Sequence, residues 1–111
     1  MDLKSENLDN FWIITISGMM DTLNAKQAED EILSLDLGNI KGMILELGGL
    51  SYISSSGIRV FIRVHQHLKK SGLPFGLCSL QPFIYNLLDI ADLTGSFLIY
   101  ADLETAKADI A

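Results

Sequence analysis

The chain has 111 residues, 49% of them hydrophobic, and sets 14 acids against 8 Lys and Arg for a formal net charge of −6. That length is enough for one core without a disulfide or metal staple, and a mean hydropathy of +0.30 argues against disorder. An acidic surface repels phosphate backbones and anionic lipid, so nucleic acid is excluded as the natural partner and a protein with a basic patch is favoured.

In chain order, Leu3–Asn7 and the aromatic, β-branched run "FWIITISG" (Phe11–Gly18) predict a strand hairpin turning at "LDN". The opening "MDLKSENLDN" has neither the basic nor the apolar region of a signal peptide, and no window holds 18 consecutive apolar residues. A cytoplasmic protein without membrane insertion is the expectation. "MMDTLNAKQAEDEILSL" predicts a helix with a capping box from Asn24 to Gln27 and a buried face of Ala25, Ala28, Ile32 and Leu35. Glu29, Asp30 and Glu31 then fall on the solvated side. "MILEL" (Met43–Leu47) is apolar at four of five positions, as suits a strand covered on both faces. No element is predicted over "GGLSYI".

Ile58–Lys70 reads as a helix with Ile58, Phe61, Ile62, His65 and Leu68 on one face and Val60 and Val64 beside it. It stops at "KKSG", with lysines in the last turn and Gly72 at C′. A strand (Phe75–Ser79), a helix opening at Pro82, a strand (Ser96–Tyr100) and a last helix in "DLETAKADIA" complete the chain. A hairpin followed by alternating units defines an α/β fold: one domain over residues 1–111, with a mixed, largely parallel sheet and packed helices.

Cys78 is the only cysteine, which excludes an internal disulfide, and its apolar run "PFGLCSL" predicts a buried, inert thiol. The segment with most chemistry is "SYISSSGIRV", where Ser54, Ser55 and Ser56 precede Gly57 at a helix start. One serine would serve as N-cap, which leaves two unexplained. A hydrolase nucleophile is disfavoured: no serine has glycines at both −2 and +2, and His65 lies about 15 Å up the same helix from Ser55. His65 and His67 point about 200° apart and make no metal pair, so His65 is read as partly buried and His67 as solvated. Neither a Walker sequence nor G-x-G-x-x-G is present, and no metal or cofactor is implied. The helix start favours an anion, either on a ligand or as a phosphoryl group attached to a serine.

Two motifs carry a family resemblance. "ISGMMDTLNA" (Ile16–Ala25) and "LELGGLSYISSSGIRVFI" (Leu45–Ile62) resemble the helix entry and the phosphoacceptor segment of the STAS-domain anti-sigma factor antagonists. The resemblance covers nearly the whole chain. It implies that Ser55, two positions before Gly57, is the phosphoacceptor, with Ser54 and Ser56 as rivals. Ser54 stands where the family often has aspartate, and Glu46-Leu47-Gly48 where it often has Asp-Leu-Ser. Asp21 and Asn24 match the partner-facing loop, although both residue types also suit a turn or an N-cap. The implied partners are an anti-sigma factor that is also a serine kinase, bound when Ser55 is unphosphorylated, and a phosphatase that resets the switch. The protein would be substrate, not enzyme. The alternatives are a STAS scaffold or accessory subunit of a transporter or stress complex that does not use the serine, and a small-ligand or nucleotide sensor.

Overall fold

The computed structural model describes residues 1–110. Strands β1 (Asp2–Leu8) and β2 (Phe11–Met20) form the expected hairpin, and β3 (Gly42–Glu46), β5 (Phe75–Cys78) and β6 (Leu98–Tyr100) follow in parallel. Asp9 and Asn10 close the hairpin with φ of 54° and 66°, the left-handed pair that a two-residue turn needs and that Asp and Asn tolerate. The order is β1-β2-β3-β5-β6. A further strand, β4 (Leu50–Ile53), which the sequence reading leaves unassigned, pairs in parallel with Gly18–Met20 of β2, beyond the point where β3 leaves that strand. Four residues with an exposed middle carry too little alternation to show as a strand.

Strand alternation divides the core in two. Ile14, Ile16, Met43, Leu45, Phe75 and Leu77 face helices α1 (Thr22–Leu33), α2 (Ser55–Lys70) and α3 (Pro82–Ile90). Phe11, Ile13, Ile44 and Cys78 face the other way, onto Ala106 of α4 (Leu103–Ile110). Cys78 is fully buried, and burial pushes its thiol up to about 11, which keeps it inert at neutral pH.

Four sequence expectations differ from the structure. Helix α1 begins three residues earlier than the Asn24–Gln27 box implies, because the Asp21 carboxylate captures the first free N–H groups. On α2 the fully buried stripe is Gly57, Val60, Phe61, Val64 and Leu68, while Ile58, Ile62 and His65 are half-buried. His67 is half-buried as well, not fully solvated. His65 stacks on Phe75 at 5.7 Å, and burial, helped by Lys69, lowers its pKa. At the other end, Gly72 takes φ +72° and Leu73 N–H donates to the Leu68 carbonyl, giving the predicted C-terminal stop.

Glu29 is the fourth. It is 5% exposed, not solvated, because α1 and α2 pack with its carboxylate between them. Arg63 Nη1 donates to Glu29 Oε1 at 2.9 Å, and Lys26 reaches Oε2 at 3.4 Å. The Arg63 guanidinium holds the Glu29 carboxyl below its ordinary value against the opposing effect of burial, with Lys26 adding to it. A depressed carboxyl pKa contributes stability above the unfolded value, about 4.3, and loses it as pH falls through the folded value. Arg63→Ala should therefore cost about 1–2 kcal/mol at pH 7, discounted because Arg63 is half exposed. Without Arg63 the Glu29 carboxyl loses the largest cause of its lowering, so its pKa rises from the wild-type position and the gap should narrow below about pH 4. Urea melts at pH 7 and pH 3.5 check this; a gap that widens in acid would show that the pair is not the cause.

Candidate functional site

Two loops meet where β2 and β4 end. Gly18 N–H donates to the Gly49 carbonyl at 2.8 Å and Ser51 Oγ to the Gly18 carbonyl at 3.0 Å. One step further, Ser54 N–H donates to the Met20 carbonyl at 2.8 Å. Met20 immediately precedes Asp21 and Ser54 immediately precedes Ser55, so this bond joins the two sequence motifs across 33 residues of chain.

On the first loop, Asp21 is the N-cap of α1. Its Oδ1 accepts from Leu23 N–H at 2.9 Å and Asn24 N–H at 3.0 Å. Asn24 answers reciprocally: its Oδ1 accepts from Asp21 N–H at 2.9 Å, and its Nδ2 donates to the Met19 carbonyl at 3.0 Å. This closed capping box fixes the loop.

On the second loop the three serines have three different situations. Ser54 is the N-cap, its Oγ accepting from Gly57 N–H at 3.2 Å. Ser56 is half-buried on the side of α2 that faces α1. Ser55, at the first helical position, is exposed and has no capping task. Ile58 makes the first intrahelical bond, to the Ser54 carbonyl, so the N–H groups of Ser55 and Ser56 come before the ladder begins. Both histidines lie farther up α2, and neither approaches the serines closely enough to activate one.

Gly57 holds this turn against the core. An added Cβ would lie 2.6 Å from Ile53 Cγ1 and 2.8 Å from Met20 Sδ, the very residues that end β4 and β2. Glu46 Oε1 accepts from Gly48 N–H at 2.6 Å, so the carboxylate at that departure from the family pattern closes the turn after β3. Around the serine edge the sequence reading missed three exposed apolar side chains: Met19 (54% exposed), Leu23 (91%) and Tyr52 (38%). Leu23 is legible in hindsight as a leucine at the very start of α1, off the Ala25–Ala28–Ile32 stripe.

The chain belongs to the STAS domain family, which matches residues 2–106. It is 31% identical over 109 residues to "Putative anti-sigma factor antagonist BtrV" of Bordetella bronchiseptica, spanning 97% of this chain and 93% of that protein. Among solved structures it resembles an anti-sigma factor antagonist from Mycobacterium paratuberculosis, with a TM-score of 0.88 at 19% identity over 98% of this chain and 92% of that one. It also resembles the Bacillus cell fate determinant SpoIIAA in its phosphorylated form, with a TM-score of 0.74 at 18% identity over 97% of each chain. The fold expected from the two motifs is the fold observed.

Proposed function

We propose that this protein is an anti-sigma factor antagonist, a partner switch whose state is set by phosphorylation of Ser55. Unphosphorylated, it binds an anti-sigma factor that is also a serine kinase; phosphorylated, it releases it, and a serine phosphatase restores the first state. In the forward step Ser55 Oγ attacks the γ-phosphorus of ATP held by the kinase. The bond to ADP breaks, and the hydroxyl proton passes to a base of the kinase. The observation that carries this reading is the Ser54–Met20 bond, which sets the exposed Ser55 beside the Asp21 loop. The BtrV relative supports the same class, and SpoIIAA shows that a protein of this fold exists in a phosphorylated form.

Among the three serines, phosphate on Ser54 would disturb the helix cap and on Ser56 would start half-buried, whereas Ser55 is open to a kinase. The test begins with Ser55→Ala and Ser55→Asp as baits in native cells. A protein retained by the first and not the second is identified by mass spectrometry and purified. Incubated with ATP, it should label wild type on Ser55 and leave Ser55→Ala unlabelled. Label on Ser55→Ala would move the acceptor to Ser54 or Ser56, and no label on wild type would favour the scaffold role.

The Asp21 loop can be probed separately from folding. Asn caps a helix as well as Asp does, so Asp21→Asn should stay within about 0.5 kcal/mol of wild type, whereas Asp21→Ala should lose about 1 kcal/mol. If the partner reads the Asp21 charge, Asp21→Asn binds it less tightly with its thermal melt unchanged. Unchanged affinity in Asp21→Asn would confine Asp21 to its capping role.

A further inference from the structure

A cleft of about 170 Å³ opens between the first turns of α1 and α2, with Thr22, Lys26, Ser56, Arg59 and Arg63 in its walls. Three of the chain's 8 Lys and Arg line this one space. Lys26 is held by Glu29 and Asp30, and Arg63 by Glu29. Arg59 is exposed, and no ion pair among the described residues includes it. Three cations against two carboxylates leave the cleft net positive on a chain of net charge −6.

Arg59 stands four residues after Ser55, which makes the two neighbours on the helix surface. A protein that covers Ser55 therefore takes Arg59 out of water. A desolvated guanidinium without a counter-charge opposes binding, and the described residues supply none. We propose that Arg59 receives an Asp or Glu carboxylate from the partner's contact surface, and that phosphate on Ser55 ejects it by claiming the same guanidinium. This rests on the reading of Ser55 as the switch. Arginine grips phosphate and carboxylate through the same two-pronged set of N–H donors, so the phosphate one turn away displaces the carboxylate directly.

The probe is the anti-sigma factor purified as above, its Kd measured by titration calorimetry at one salt concentration. Arg59→Ala should weaken binding about tenfold or more. Lys70→Glu, about 16 Å along the same helix and a larger change in net charge, should stay within about twofold. Both variants should keep the wild-type circular dichroism spectrum, since neither side chain is buried. Ser55→Asp should cost less affinity in the Arg59→Ala background than in wild type, because its target is already gone. Arg59→Ala binding like wild type while Ser55→Asp still fails to bind would overturn the arginine seat and leave the switch standing. Fully additive losses would overturn the displacement, and wild-type affinity in Ser55→Asp would remove the switch itself.

Discussion

Gly57→Ala is expected to be among the most destabilising single-methyl changes in this chain. Its new Cβ would sit 2.6 Å from Ile53 Cγ1, 2.8 Å from Met20 Sδ and 3.0 Å from Met20 Cγ. Ile53 is 2% exposed and Met20 is fully buried, so neither has solvent to retreat into. Overpacking of this kind costs about 1–3 kcal/mol, against which alanine recovers at most about 1 kcal/mol of helix propensity. Gly57→Val adds two more carbons and should lose about 3 kcal/mol or more. In a domain of this size each kcal/mol is worth about 4 °C or more in Tm, so thermal melts resolve the series. The same shift should loosen the Ser54–Met20 bond and, with it, the presentation of Ser55 to a kinase. An alanine variant that melts with wild type would show that β4 and α2 separate freely, and the close approach would then not be the reason for glycine here.

Ser55→Asp is expected to do the reverse, leaving the fold intact while abolishing function. Ser55 is exposed and has no capping task. A carboxylate at the first helical position is favoured by the helix dipole and lies one turn from Arg59, which has no ion pair among the described residues. Circular dichroism and Tm should therefore match wild type or rise slightly. Partner binding should fall about a hundredfold, equivalent to about 2.7 kcal/mol. That loss combines the charge placed in a contact surface, the apolar surroundings of Met19, Leu23 and Tyr52, and the competition for Arg59. Calorimetry against the purified anti-sigma factor checks it. An unfolded Ser55→Asp would show that the helix start cannot hold the charge, and a folded variant with wild-type affinity would show that Ser55 is not read.

What the sequence by itself determined about this protein was local. Asp9-Asn10 names the hairpin because few residues accept left-handed backbone, Gly72 ends α2 for the same reason, and the apolar run at Met43–Leu47 places a strand buried on both faces. The three serines before Gly57 likewise mark a helix start, since capping is settled within one turn. Only the tertiary structure decided which serine is the exposed one, since that depends on what α1 and the end of β2 cover. It also made Asp21, not Asn24, the N-cap of α1, buried Glu29 against Arg63 from 34 residues away, and made a strand of Leu50–Ile53 by supplying β2 as its partner. Arg59 and Arg63 look alike in sequence, two arginines four residues apart on one helix. Packing gives Arg63 a carboxylate on the neighbouring helix and, among the described residues, gives Arg59 none, because the charge state of a helix face depends on the groups set opposite it and no local propensity encodes them.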